Sequence, residues 1–170
     1  MSANVTVRVA EPADLPQVGE LTAQAYLADE LIDPDHWYVD ELRDAGKRAA
    51  GATVLVAVHG EQVLGTITLA PAGSEYAEIA GPGEMELRML AVHPDARGRR
   101  IGELLMRSAI ERGLGWGAHA VVLSTMPEMR SAQRVYDRMG LRRTPERDWE
   151  GESGRVFLTY VADATSVGAL

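Results

Sequence analysis

Apolar positions along this chain recur at two spacings, and the switches between them outline the elements. Val5, Val7 and Val9 alternate with polar residues and predict a short strand. Asp14 followed by Gln17 reads as a capping box, and Leu15, Val18, Leu21 and Ala25 continue at helical spacing. Asp33-Pro34 predicts the opening of a second helix, with Pro at its first position. Tyr38, Leu42, Ala45 and Ala49 lie on one face of it, up to a stop near Gly51. Thr53 to Val58 and Val63 to Leu69 flank Gly60-Glu61-Gln62, the pattern of a β-hairpin. Pro71 to Gly83, rich in Gly, Ala and Pro, is the longest loop and is expected to be functional or mobile.

Leu87 to Val92 predicts an apolar strand, and a helix follows from about Arg99 to Gly113. Ile101, Leu105, Met106, Ala109 and Ile110 form its inner face. Ala120 to Leu123 reads as a buried strand. This strand–helix–strand order predicts a parallel pair with a right-handed crossover. Ser131 to Met139 predicts a helix closed by Gly140. Two last strands, Leu141 to Thr144 and Arg155 to Val161, bracket an acidic segment from Pro145 to Gly154. The whole reads as one domain over residues 1–170, with a core over 5–161 and a frayed tail over 163–170.

Composition narrows the function classes. A hydrophobic content of 46% with 25% charged residues is that of a globular domain. The absence of cysteine removes disulfides, thiolate metal sites and a cysteine nucleophile, and fits a reducing cytoplasm. No basic-then-apolar leader and no membrane-length apolar run is visible, so a cytoplasmic protein without a membrane partner is expected. A net charge of −8 disfavours nucleic acid as a partner. His36, His59, His93 and His119 show no metal-ligand spacing, and no metal is expected.

Against this acidic background, Arg97-Gly98-Arg99-Arg100-Ile101-Gly102 is a local basic cluster between an apolar strand and a helix. Unpaired N–H groups and the positive dipole end make a helix start an anion site, here pointing to a pyrophosphate-bearing ligand. The loop carries neither G-x-G-x-x-G nor G-K-[ST], so dinucleotide-fold and P-loop readings fit poorly.

These residues resemble the GNAT superfamily of acyl-CoA-dependent N-acyltransferases. The family's R/Q-x-x-G-x-G/A loop aligns with Arg97 to Gly102, with Arg100 in place of the middle glycine. Its L-x-V strand aligns with Leu90-Ala91-Val92. Its N-x-x-A-x-x-x-Y-x-x-x-G-F pattern aligns with Met129, Ala132, Tyr136, Gly140 and Leu141, without the asparagine. The resemblance implies an α/β (α+β) fold in one domain: a mixed, mostly antiparallel sheet of about seven strands flanked by about four helices. It also implies a splayed parallel pair, diverging between Val92 and Ser124, that binds acetyl-CoA.

In that frame Leu90, Ala91 and Val92 lie along the pantetheine arm, and the Leu90 N–H polarises the thioester carbonyl. A β-bulge helps aim that N–H, and sequence does not place it. Arg97, Gly98, Arg99, Arg100, Ile101 and Gly102 hold the pyrophosphate. Tyr136 is the expected general acid beside the sulfur; periodicity alone reads it as a core aromatic. Glu86 is the candidate general base, with Glu84 in reserve on the same strand face. The alternative for Glu86 is a solvated residue paired with Arg88. His93 is read as a turn residue, and Trp37 and Trp149 as packing residues.

The expected activity is direct transfer of an acetyl group to a primary amine of a small molecule or peptide. The rival is a non-catalytic acyl-CoA sensor on the same fold, which would bind CoA without releasing thiol. The resemblance places the acceptor pocket between the first two helices and the last strand pair. Those segments carry Asp29, Glu30, Asp33 and Asp35, and Glu146, Asp148, Glu150 and Glu152. Their charge suggests a negative field favouring a cationic amine, and solvated acidic loops are the bland alternative. A monomer and a homodimer both stay open.

Overall fold

A computed structural model describes residues 4–28, 32–151 and 154–167. In chain order the elements are β1 (Thr6–Val9), α1 (Leu15–Ala28), α2 (Tyr38–Arg43), α3 (Ala45–Gly51), β2 (Thr53–His59), β3 (Gln62–Pro71) and β4 (Glu84–Val92). They continue as α4 (Ile101–Gly115), β5 (Ala120–Thr125), α5 (Arg130–Arg138), β6 (Arg142–Arg143), β7 (Trp149–Glu150), β8 (Val156–Asp163) and α6 (Ala164–Val167). The strands form one mixed sheet in the order β1-β2-β3-β4-β5-β8-β6, with β7 pairing β8. Every pair is antiparallel except β4–β5, which the α4 crossover makes parallel, as the strand–helix–strand pattern predicts.

Alternation along the strands splits the core into two layers. In β2, Leu55 and Ala57 face a cluster built on Ile101, Leu105, Met106, Ala109 and Ile110 of α4. Val54, Val56 and Val58 face the opposite cluster, with Val18 and Leu21 of α1. Helices therefore cover both faces of the sheet.

Three expectations need correction. The helix expected from Asp33-Pro34 to Gly51 is two short ones: α2 opens at Tyr38, and Asp44 interrupts the run at φ −84°, ψ 69°. The Asp44 carboxylate caps α3 by accepting the Lys47 N–H at 3.0 Å. The buried Arg48 guanidinium staples the two helices by donating to the Glu41 and Leu42 carbonyls, both at 3.1 Å. A local hydrogen-bonding side chain has outcompeted the continuous apolar stripe.

Asp14, expected as an N-cap, instead ends the short 3-10 turn ahead of α1. It accepts the Glu11 N–H at 2.7 Å and pairs with Arg8 at 2.6 Å. Gln17 reaches away from the helix to the β2–β3 hairpin, bonding the Val63 N–H and the Glu61 carbonyl at 3.0 Å each. The tail expected to fray from residue 163 begins as helix α6.

The loop between β3 and β4 is held down at several points. The carboxylates of Glu84 and Glu86 accept its N–H groups, while Arg88 and Arg147 donate to its Tyr76 and Ile79 carbonyls. Tyr76 within it is buried. No helix among the described residues is long and apolar enough to cross a membrane.

Candidate active site

The site is created by a fault in β4. Between Thr66↔Ala91 and Thr68↔Arg88 the partner strand spends one residue, Ile67, where β4 spends two, Met89 and Leu90. This is the β-bulge that sequence could not place, and Met89 adopts φ 57° within it. The bulge switches the side-chain parity of the strand. Before it, Met85 and Leu87 pack toward α4; after it, Leu90 and Val92 do. Met89 consequently packs with Ala23, Val39 and Leu42 on the α1–α2 side.

On the other edge, β4 pairs with β5 only from Glu84↔Ala120 to Leu87↔Leu123. Both strands then continue without each other, β4 to Val92 and β5 to Thr125, so residues 88–92 face a gap. Two cavities meet there, sharing Leu87, Arg88, Met89 and Ser124. One, of about 210 Å³, is lined on the α4–α5 side by Leu90, Met106, Met129 and Tyr136. The other, of about 630 Å³, opens toward α2 and β7.

On the first side, the basic loop joins β4 to α4. Arg97, Gly98, Arg99 and Arg100 are all exposed, while Ile101 is buried in the core beneath them. Arg100 sits at the start of α4 with φ 60° and ψ 27°, the left-handed region that favours glycine. The side chain projects into solvent and comes within 4.0 Å of Glu103. A Cβ at Gly102 would meet Val92 and Leu90 at ordinary contact distances of 3.6 and 3.7 Å. His93 accepts the Asp95 N–H at 3.1 Å, the turn role expected of it.

Tyr136 lies on the inner face of α5, 8% exposed, edge-on to Tyr160 at 5.1 Å. Burial pushes its hydroxyl up to about 12, against the opposing influence of the Thr125 hydroxyl. It is therefore protonated at neutral pH.

The two acidic candidates on β4 differ. Glu84 is bound by Arg147 through two contacts of 2.8 and 2.9 Å and accepts the Gly81 N–H, which hold its carboxyl below the usual range. It lines neither cavity. Glu86 is 2% exposed, and one oxygen accepts three N–H groups in a row, from Glu78, Ile79 and Ala80 at 2.7–3.0 Å. Burial pushes its carboxyl up, with the three N–H groups and Arg88 pulling the other way. Glu86 also lines the larger cavity. The solvated Glu86–Arg88 pair considered from sequence is not what forms: Arg88 instead donates to the Tyr76 carbonyl at 2.9 Å and the Tyr38 hydroxyl at 2.8 Å.

Of the acidic residues expected around the acceptor, Asp33 lines the larger cavity. Asp148 is taken up by Arg143 through two contacts of 2.6 Å and by the Thr159 N–H. Asp35, Glu146 and Glu150 are exposed and line neither cavity; Asp29, Glu30 and Glu152 lie outside the described residues. The tryptophans expected to pack both reach the larger cavity. Trp149 stacks on Phe157 at 4.5 Å and donates to the Ser124 hydroxyl, and Trp37 stands 62% exposed. Tyr26, which sequence reasoning missed, lines both cavities at the end of α1 and meets Tyr38 edge-on at 6.1 Å. Its only sequence signal was an aromatic near a helix end. No grouping of His, Asp or Glu that could hold a metal occurs among the described residues.

Bulge, splay and basic loop lie within one stretch that a profile of the acetyltransferase (GNAT) family also covers, matching residues 17–141. The chain belongs to the GNAT family. An uncharacterized N-acetyltransferase of Schizosaccharomyces pombe is 30% identical over 138 residues, which cover 78% of this chain and 79% of that protein. Two solved structures share the fold. The yncA protein of Salmonella typhimurium, crystallised with its cofactor acetyl-CoA, superposes with a TM-score of 0.69 at 21% identity, covering 95% of this chain and 94% of that one. A ribosomal-protein-alanine N-acetyltransferase of Brucella melitensis gives 0.69 at 20% identity, over 93% and 99% of the two chains.

Proposed function

We propose that this GNAT protein is a cytoplasmic N-acetyltransferase that moves the acetyl group of acetyl-CoA directly onto a primary amine. The observation that carries the reading is the bulged, unpaired edge of β4 at residues 88–92, opening between two cavities. Such an edge offers backbone groups to an extended ligand arm as a strand would. Leu90, Ala91 and Val92 would take the pantetheine arm, and the exposed Arg97, Arg99 and Arg100 with the amides of Gly98, Ile101 and Gly102 the pyrophosphate. The acetyl-CoA-bound neighbour of the same fold supports that donor.

The Leu90 N–H, at the bulge, polarises the thioester carbonyl and holds the oxyanion that forms on attack. The acceptor approaches from the larger cavity as a neutral amine, having given its proton through water to Glu86. The C–N bond forms, the nitrogen gives its second proton to water, the tetrahedral centre collapses, and the C–S bond breaks to release the CoA thiolate. Tyr136 then donates to the departing sulfur. An ordinary thiol pKa near 8.5 lies below that of the buried phenol, so hydrogen bonding to the thiolate suffices without full proton transfer.

The test couples acetyl-CoA binding by calorimetry to CoA thiol release across a broad panel of amines, with product mass. Thiol release with a mass gain of one acetyl group on the amine supports the proposal. Binding of acetyl-CoA with no release for any amine would sink it in favour of the sensor.

A further inference from the structure

The larger cavity has a cation in its wall that the transfer of acetyl does not use. Arg88 is the last residue before the bulge, and its side chain is 19% exposed. Its guanidinium donates to the Tyr76 carbonyl and the Tyr38 hydroxyl, which occupies two of its five N–H groups. Nearby carboxylates compensate its charge loosely. Glu78 stands 3.7 Å away and is half exposed, while Glu86 spends one oxygen on three backbone N–H groups. Tyr38, accepting from Arg88, keeps its own proton to donate, and both residues line the cavity.

Arginine and tyrosine, hydrogen-bonded to each other, thus present neighbouring donors suited to a carboxylate on one wall. Asp33 and Glu86 lie on the same cavity as counterparts for an amine, and the stacked Trp149–Phe157 pair supplies an apolar wall. With Asp148 already neutralised by Arg143, the surroundings are of mixed sign rather than uniformly negative.

We infer that the acceptor is a zwitterion, a primary amine carrying a carboxylate on an apolar body, with the carboxylate held by Arg88 and the Tyr38 hydroxyl. This rests on the acetyltransferase reading and names its substrate class: a free α-amino acid with an apolar or aromatic side chain. A cavity of about 630 Å³ accommodates such a body. Polyamines, lacking an anion, would bring a second cation against Arg88.

The test uses matched sets: phenylalanine, leucine and methionine, each beside its amide and its decarboxylated amine, with spermidine added. Thiol release and calorimetric binding to the CoA-loaded protein are both read. The expected result is a preference of about tenfold or more in kcat/KM for the free acids. Arg88→Met and Arg88→Lys should raise KM for the acids about tenfold or more while leaving that for the decarboxylated amines and for acetyl-CoA unchanged. Tyr38→Phe should do the same by a smaller factor, and it keeps the test valid if the arginine variants fold poorly. Amides or amines that react as well as the acids overturn the inference and leave the acetyltransferase reading standing. Carboxylate-dependent binding without thiol release from any amine, the broad panel included, overturns the acetyltransferase reading and the acceptor with it, leaving only a carboxylate-binding site. Absence of carboxylate-dependent binding overturns the inference.

Discussion

The two sides of the β4–β5 gap are built in different ways. The α4–α5 side comes largely from one continuous run, strand then loop then helix, completed by Tyr136. The α2–β7 side is gathered from Tyr26, from residues 32–38, from Glu78 and β4, and from Trp149 and Phe157. The first is a local motif whose parts follow one another along the chain. The second exists only when distant segments have packed. A group common to every reaction can be met by fixed local geometry, whereas the group that varies is met by segments free to vary.

The largest expected effect tests the α4–α5 side. Tyr136→Phe should lower kcat by about 10²–10⁴-fold with the KM for acetyl-CoA little changed, followed by thiol release. Wild-type turnover in that variant would reduce Tyr136 to a packing residue.

Across the gap, Glu86 anchors three N–H groups and is the proposed base, and paired variants separate the two. Glu86→Gln keeps an oxygen for the three N–H groups but loses the base, so kcat/KM should fall about 10²-fold or more with the fold intact. Glu86→Ala leaves three buried donors unpaired and should cost about 2–5 kcal/mol in denaturant unfolding. The pH sense follows from the raised carboxyl pKa. The folded state holds the proton more tightly than the unfolded one, so this residue's contribution is most favourable below the ordinary carboxylate value. It declines as pH rises toward the raised folded value. Glu86→Gln should remove that decline; an identical pH–stability curve would contradict it.

Glu84 has the opposite sign and ties down the same loop. Arg147 lowers its pKa, so its stabilisation is present above the ordinary value and is lost as pH falls through the lowered one. Glu84→Gln should cost about 1 kcal/mol at neutral pH, discounted for the part-exposed arginine, and less in acid, read by thermal melts across pH. A loss that does not shrink on acidification would show the ion pair to be irrelevant.

The smallest effect returns to the basic loop. Arg100→Gly relieves a left-handed arginine and should stabilise the fold by up to about 1 kcal/mol, since glycine's greater unfolded-state freedom offsets part of the gain. A lower melting temperature would mean that the Arg100 side chain contributes more than its strain costs.

Several elements were legible because their signals are local. The hairpin around Gly60 and Glu61, the α4 stripe and the Gly140 stop all stand close to where spacing puts them. The single helix expected from Asp33 differs from the observed pair because a continuous apolar face conceals the Asp44 interruption and the Arg48 staple. Glu84 and Glu86 look alike by alternation. They separate only through partners that come from residues 78–81 and from Arg147.

What the sequence determined by itself is the order of elements, the parallel crossover and the basic loop, because each depends on residues close along the chain. The family could be read from the same segment. Only the tertiary structure decided where β4 bulges, which acid is buried at the gap, and that Arg88 and Tyr38 meet in the cavity wall. Those outcomes depend on strand register and on contacts between remote segments, which local spacing does not encode.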